Sequence, residues 1–260
     1  MGIRPDGRWG GQVTSRALPA DPSIALLSVE DRRTIAEVWI GRAASERRVA
    51  TSFELIHDAL AGLGAAPELV RLADRAIDDE HRHAELCRLV ASRFAGRELA
   101  PPALLPHGYP QHPSASESLR RTLWVVGHCL LNETTASAFL EVTLEHATGA
   151  LARAACRELL SDEIDHARLG WAHLAAVGPE VRAEVGRWLP RLARANLRMW
   201  RASPRPEALT DAVVAHGHPR PEVLDAALVA ATRELVVPGC EQLGLDVAEV
   251  TAWLDAGAPT

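Results

Sequence analysis

A proline-rich segment divides this 260-residue chain and limits how it can fold. Residues 96–115 contain five prolines, and proline in a helix interior removes a hydrogen bond and clashes with the preceding turn. The segment is therefore predicted to be a long connection without helix. A pair of long helices is predicted on each side, over 29–63 and 67–94 before it and over 116–146 and 150–177 after it. Two helical hairpins joined by a long crossover predict a four-helix bundle.

Capping and helix-breaking residues set the limits of these helices. Ser28 can cap the first helix, Pro67 suits the first turn of the second, and Gly178-Pro179 ends the fourth. Alanine and leucine dominate and no strand-like alternation is found, so an all-α fold is predicted.

Three regions follow from this pattern. Residues 1–28 are predicted to be irregular, residues 29–177 to form the bundle, and residues 178–260 to form a helical extension packed on it. Within the extension, helices are predicted over 180–201, 206–216 and 221–236, with a last turn over 246–255.

Two Glu-x-x-His sequences mark the second and fourth helices. Glu80 precedes His83, and Glu163 precedes His166; at this spacing both side chains leave a helix in the same direction. Each sequence lies about 15 residues after its own hairpin turn. At a similar distance before the second turn lies Glu133.

The facing carboxylate in the first hairpin is either Glu46 or Glu54. Helical phase favours Glu46, because it shares a stripe with the apolar residues Phe53 and Ile56, whereas Glu54 shares a face with Asp58. The predicted metal ligands are therefore Glu46, Glu80, His83, Glu133, Glu163 and His166.

These six residues predict a centre for two metal ions. Burying four carboxylates without counter-charge is costly, the chain contains no lysine, and Arg42 alone cannot neutralise them. One Glu from each of two helices, with one Glu-x-x-His from each of the other two, is the ligand set of di-iron and di-manganese bundles. Two iron ions are predicted, with Mn/Fe or Mn/Mn as alternatives. The other interpretation is a buried salt-bridged network without metal.

Several neighbours are weaker candidates. Cys87 and Cys129 are predicted to lie near the ligands, as small buried residues or as part of an oxygen pocket. Asp79, Asp162 and Asp165 are candidates to orient the ligand histidines, and His128 or His173 to act as a third histidine ligand. Exposure to solvent is the simpler explanation for four other charged or polar residues on these helices: Glu54, Glu141, His57 and His81. Arg191, Arg194, Arg198, Arg201 and Arg205 form a basic stretch that can lie in solvent or receive an anionic substrate or an acidic carrier protein.

Over residues 30–177 the sequence resembles the ferritin-like di-iron carboxylate superfamily, in particular bacterial ferritin-like domain proteins. The resemblance rests on four segments: Glu46–Phe53 (ERRVATSF), Asp79–Ala84 (DEHRHA), Asn132–Thr134 (NET) and Asp162–Ala167 (DEIDHA). Arg47 and Arg48 depart from the His-Ala that more commonly follows the first glutamate.

The resemblance implies a ferritin-like four-helix bundle whose six ligands are also the catalytic residues. The predicted function is a non-haem di-iron oxygenase or oxidase that activates dioxygen to oxidise a small-molecule or carrier-bound substrate, in specialised metabolism for example, with an external electron donor. A ferroxidase or iron-handling protein and a metal-free helical interaction protein are the alternatives. The extension of about 80 residues disfavours a storage cage, so a monomer or small homo-oligomer is predicted.

The composition of the chain argues against several other classes of protein. The net charge of −6 is unlike that of a general nucleic-acid binder, and all 28 basic residues are arginine, which excludes chemistry that needs a lysine. The four cysteines form no C-x-x-C pair. No signal peptide or membrane span is apparent, so a cytoplasmic protein without nucleic-acid or membrane partners is predicted.

Overall fold

The computed structural model describes residues 2–3, 9–10, 18–104, 108–203, 206 and 208–259. The prediction of an all-α protein is confirmed, and the long helices form a helical bundle. The helices are α1 (Val29–Gly62), α2 (Pro67–Ala95), α3 (Glu117–Val125), α4 (Glu133–His146), α5 (Ala150–Ala176), α6 (Pro179–Arg201), α7 (Asp211–Ala215), α8 (Pro221–Ala231), α9 (Val237–Gln242) and α10 (Ala248–Asp255). None of the helices in the described part of the chain is both long and apolar enough to cross a membrane.

Local sequence explains where the long helices begin and end. The Ser28 hydroxyl accepts a hydrogen bond from the Asp31 amide at the start of α1. Pro67 lies in the first turn of α2, and Gly96 ends that helix with a φ of 66°, a conformation that costs glycine little. The two hairpins pack together through contacts of α2 with α5 and of α1 with α3.

The predicted third helix is not continuous, because a π-helix at Val126–Asn132 lies between α3 and α4. At its end the Glu133 amide donates to the His128 carbonyl, five residues earlier. Helix α5 approaches this segment very closely: a Cβ on Gly170 would lie only 2.3 Å from the Leu130 amide nitrogen. Gly170 therefore allows α5 to pack against the backbone of the π-helix.

A second π-helix, Thr232–Val236, joins α8 to α9. Pro238 is the second residue of α9, two positions after the end of this π-helix. Proline has no amide hydrogen and its ring displaces the preceding turn, which gives a physical reason for the wider turn there. The predicted helix over 221–236 is therefore divided between α8 and this segment.

The crossover contains no helix in its described residues, as the prolines predict; residues 105–107 lie outside the described part. Side chains hold it against the bundle. The Tyr109 hydroxyl donates to the Ser52 carbonyl at 2.5 Å, and the Trp124 indole donates to the Pro110 carbonyl at 2.9 Å. The crossover therefore contacts both α1 and α3 through these two hydrogen bonds.

The C-terminal helices share an apolar core with the second hairpin. Leu130 of the π-helix, Leu189 and Leu197 of α6, and Trp253 of α10 belong to one buried cluster. This core fixes the C-terminal helices against α3, α4 and α5.

Two shorter predictions differ from the structure. The helix predicted over 206–216 is only α7, Asp211–Ala215. The N-terminal segment predicted to be irregular contains a two-residue antiparallel pairing of Gly2–Ile3 with Trp9–Gly10 and a 3-10 helix at Pro22–Leu26.

Candidate metal centre

The structure brings all six predicted ligands together inside the bundle. Five of them are buried, with 3% or less of each residue exposed; these are Glu80, His83, Glu133, Glu163 and His166. Glu46 of α1 is only partly buried. The Glu46 carboxyl group is nevertheless surrounded by protein, and burial is the largest cause of its raised pKa, so a centre at this position would be enclosed by protein.

The six residues form two overlapping groups. Glu46 and His83 make one group with Glu80 and Glu163, and Glu133 and His166 make the other with the same two carboxylates. In each group, one potential ligand atom per residue lies within 4.8 Å of the others. Two adjacent ions would therefore share Glu80 and Glu163, and each ion would have its own Glu and its own His.

Both imidazoles direct Nδ1 at the shared carboxylates. Nδ1 of His83 lies 3.5 Å from Glu80 Oε2 and 3.4 Å from Glu163 Oε1. Nδ1 of His166 lies 3.0 Å from Glu80 Oε1 and 3.3 Å from Glu163 Oε2. The two Glu-x-x-His sequences thus meet face to face, with their carboxylates between their imidazoles.

The other nitrogen of each imidazole faces an aspartate of the opposite helix. His83 Nε2 lies 3.0 Å from Asp162 Oδ2, and His166 Nε2 lies 3.5 Å from Asp79 Oδ2. Arg82 donates hydrogen bonds to both aspartates. A carboxylate in this position fixes the tautomer and the ring orientation of a ligand histidine.

Asp165, the third predicted orienting residue, has a different role. It accepts hydrogen bonds from Arg75 and Arg168 at 2.8 Å each, on the outside of the bundle. Its position makes it a useful control for the two aspartates that contact histidine.

Two of the four ligand carboxyls favour protonation. Burial, followed by the carboxylates of Glu80 and Glu163, raises the pKa of Glu46 well above its usual value. Burial and the carboxylates of Glu163 and Glu80 do the same to the pKa of Glu133. The cause is the same in both cases: a further negative charge is unfavourable beside two buried carboxylates.

The shared carboxylates and the imidazoles form a charged set. Burial acts to raise the pKa values of Glu80 and Glu163, but contacts with His166 and His83 lower both overall. Burial acts to lower the pKa values of His83 and His166, but the surrounding carboxylates raise both well above the usual value. Without metal, two imidazolium ions therefore balance two carboxylates.

The donor set fits divalent metal ions. Both Glu80 carboxylate oxygens and His83 Nδ1 are buried and make no directed hydrogen bond to any residue that the structure describes; their contacts are ion pairs between carboxylate and imidazole. Metal ions would give all three atoms a directed partner. Six oxygen and nitrogen ligands without a cysteine suit iron or manganese better than soft metals. The buried cluster can thus hold metal ions, and its chemistry does not specify which.

Residues of the π-helix lie beside Glu133. His128 Nε2 is 3.2 Å from Glu133 Oε1, and the Asn132 amide donates to the same oxygen at 3.2 Å. Trp200 of α6 in turn donates to the Asn132 side-chain oxygen at 3.1 Å. Of the two candidates for a third histidine ligand, His128 is therefore the one that contacts Glu133. Asn132 is a further contact of this carboxylate, and its position directly before Glu133 is the sequence signal for it.

The other candidates lie outside both ligand groups. Cys87 and Cys129 are buried, and neighbouring acids add to burial in raising the pKa of each thiol: Glu46 for Cys87 and Glu133 for Cys129. His173 is buried elsewhere, and burial lowers its pKa to about 4. The remaining candidates outside the groups are Glu54, Glu141, His57 and His81. Within the basic stretch, Arg201 pairs with Asp225, whereas Arg205 lies outside the described residues.

Asp79→Asn and Asp162→Asn should each weaken metal binding by about 10- to 100-fold, because each removes the carboxylate that orients a ligand imidazole. Asp165→Asn is the matched control and should bind metal like the parent. Competition with a chromophoric chelator measures the affinities. Equal affinities for all three variants would show that the aspartate–histidine contacts do not support the site.

Comparison with known proteins assigns no family: no protein-family model matches the chain, and no curated protein shows a significant match to it. The interpretation of the centre therefore depends on the geometry and chemistry of its own residues.

Proposed function

We propose that this chain is a ferritin-like di-iron protein that activates dioxygen to oxidise a small organic substrate. The observation that carries the proposal is the sharing of Glu80 and Glu163 by two ligand groups. A site for a single ion would not require two carboxylates that each lie close to two histidines from different helices. Mn/Fe and Mn/Mn pairs are the alternative occupants with the same ligands.

When bound, a pair of iron(II) ions would supply the electrons that reduce dioxygen. The protein contributes position and shelter. Glu80 and Glu163 lie between the two histidines, and Asp79 and Asp162 hold those imidazoles in place.

Apolar side chains exclude water from much of the centre. The Phe53 ring is fully buried, and its centroid lies 4.9 Å from that of His166 and 5.0 Å from that of His128. Exclusion of water protects reactive intermediates from side reactions.

The C-terminal helices support an enzyme over an iron store. Helices α6 and α8 contact α4 or the π-helix before it, and their apolar residues are buried in a common core. In a ferritin cage much of the outer bundle surface lies between subunits. Here part of that surface is covered by the chain itself, which favours a monomer or small oligomer.

The test combines anaerobic iron loading with exposure to oxygen. We expect about two iron ions per chain, a small oligomer by light scattering, and oxygen uptake that rises with a substrate and is lost in the Glu163→Ala variant. A many-subunit shell that takes up tens of irons per chain would establish storage instead. A parent protein that binds neither iron nor manganese would overturn both and leave a helical interaction protein.

A further inference from the structure

A groove on the outside of the bundle lies between α4, α5 and the segment from α8 to α9. Its volume is about 880 Å³, within the range of small-molecule sites. None of the six ligand residues lines it. Much of its wall is alanine, which leaves the space open: Ala138, Ala167, Ala175, Ala227, Ala230 and Ala231. We call this space the alanine groove.

Two hydroxyl groups in the wall of the alanine groove lack hydrogen-bond partners among the residues that the structure describes. Thr134 is 5% exposed, and neither its Oγ1 nor the buried Oγ of Ser137 makes a hydrogen bond. Nearby threonines behave differently: Thr135 and Thr143 donate to backbone carbonyls four residues earlier, at 2.7 and 2.6 Å. Thr134 and Ser137 therefore retain hydrogen-bonding capacity for a bound molecule.

Apolar side chains give the groove its hydrophobic character. Trp171 of α5 lines it and packs on Gly239 of α9, where a Cβ would lie only 2.4 Å from the ring. Ile164 and Leu235 also line the groove and are 39% and 57% exposed. Exposed apolar groups that converge on one cavity indicate a surface that a ligand covers.

The charge of the groove is negative. Glu141, Glu145 and Glu234 line it and are exposed, and none of the three forms an ion pair with any residue that the structure describes. Arg168, the cation in the lining, is paired with Asp165 at 2.8 Å. An acidic lining attracts cations and repels carboxylates.

We propose that the alanine groove binds a small apolar molecule that carries one ammonium group. The alanines, Ile164, Leu235 and Trp171 contact its apolar part. The ammonium group lies among Glu141, Glu145 and Glu234, with Thr134 and Ser137 as hydrogen-bond acceptors. The Trp171 face offers a further contact for the cation. This site uses none of the metal ligands, so it does not rest on the proposed function.

Isothermal titration with octylammonium, octanoate and octanol tests the proposal. Octylammonium should bind at least about tenfold more tightly than either neutral or acidic analogue, since an ion pair and a cation–π contact add to the same apolar burial. Glu141→Gln, Glu145→Gln and Glu234→Gln should each weaken octylammonium binding several-fold. Glu222→Gln on α8 is the control, because it removes an exposed carboxylate outside the groove. Octanoate binding as tightly as octylammonium would overturn the proposal.

A second set of variants tests the place of binding. Ala230→Trp fills the groove and should abolish octylammonium binding, and Ala227→Trp provides the same test if the first variant does not fold. Ala226→Trp adds the same side chain at an exposed position outside the groove and should bind like the parent. Unchanged binding in a folded Ala230→Trp or Ala227→Trp variant would exclude this groove. Glu80→Ala should bind octylammonium normally, which separates this proposal from the metal centre.

Discussion

Replacing Glu80 with alanine should remove both metal ions from the centre, whereas replacing Glu46 should remove one. Glu80 belongs to both ligand groups, but Glu46 belongs to only one of them. The parent is expected to hold about two ions per chain. Glu80→Ala should therefore fall to nearly none, and Glu46→Ala to about one, held by the group that contains Glu133 and His166. Elemental analysis of anaerobically loaded protein after removal of weakly bound metal measures the counts.

Two further variants complete this comparison. Glu133→Ala should also leave about one ion, on the side of Glu46 and His83, since Glu133 belongs only to the other group. Glu54→Ala should retain about two, because Glu54 lies outside both groups. If Glu46→Ala and Glu133→Ala lose as much metal as Glu80→Ala, the two ions bind only as a pair. If Glu80→Ala still binds two, the shared-carboxylate arrangement is wrong.

Helical periodicity predicted most of what positions the centre. Each Glu-x-x-His has its two side chains on one face at a spacing that depends only on helix geometry. The same argument placed Glu46 on the apolar stripe rather than Glu54, and the structure brings Glu46 to the other ligands. The prolines of residues 96–115 predicted the crossover because proline cannot donate the helical hydrogen bond.

The two π-helices could not be derived from periodicity. A π-helix has one more residue in a turn than an α-helix. A segment with many apolar residues can bury an apolar face with either kind of turn. Val126–Asn132 adopts the wider turn where α5 passes at Gly170, and this contact joins residues 40 positions apart in the sequence. Only tertiary packing specifies it. The sequence offered His128 and His173 as candidates for a third histidine ligand, and only the structure shows that it is His128 that contacts Glu133.

The sequence predicted that aspartates orient the ligand histidines, but it did not predict which aspartate contacts which histidine. An acid next to a ligand sequence can orient a histidine, and three aspartates met that description. Which of them does so depends on how α2 and α5 face each other. Asp79 contacts His166 and Asp162 contacts His83, while Asp165 faces solvent. The alanine groove likewise depends on where α8 and α9 pack, which no local pattern specifies.

Metal binding should release up to four protons and should strengthen steeply with pH. In the metal-free centre the raised pKa values of His83 and His166 keep both imidazoles protonated near neutral pH, and those of Glu46 and Glu133 favour neutral carboxyls. Metal coordination requires neutral imidazoles and ionised carboxylates. For each group that must lose a proton, the metal-binding constant rises about tenfold for every pH unit. This holds as long as the group is protonated in the metal-free protein. Titration calorimetry in buffers of different ionisation enthalpy counts the protons.

The same groups should make the stability of the metal-free protein depend more strongly on pH than that of the loaded protein above pH 6.5. Groups with raised folded-state pKa values bind more protons in the folded than in the unfolded state, so their contribution is lost as pH rises through those values. His83 and His166 contribute their full stabilisation below pH 6.5, which is the histidine pKa in the unfolded chain. Glu46 and Glu133 contribute theirs below pH 4.5, the glutamate pKa in the unfolded chain. The metal-free protein should therefore lose stability from pH 4.5 upward as Glu46 and Glu133 lose their contribution, and more steeply above pH 6.5, where His83 and His166 add to the loss. The depressed pKa values of Glu80 and Glu163 act in the other direction, and only as pH falls below 4.5.

Metal should cancel this trend above pH 6.5, because neither the loaded folded state nor the unfolded chain then holds the displaced protons. The difference in Tm between loaded and metal-free protein should grow from pH 6.5 to pH 8.5, since tighter binding to the folded state adds stability by mass action. The Glu46→Gln/Glu133→Gln variant is the control: its neutral amides imitate the protonated carboxyls, so its metal-free form should lose less stability with rising pH. A Tm that iron and manganese leave unchanged across this range would identify the cluster as a salt-bridged network that does not bind metal.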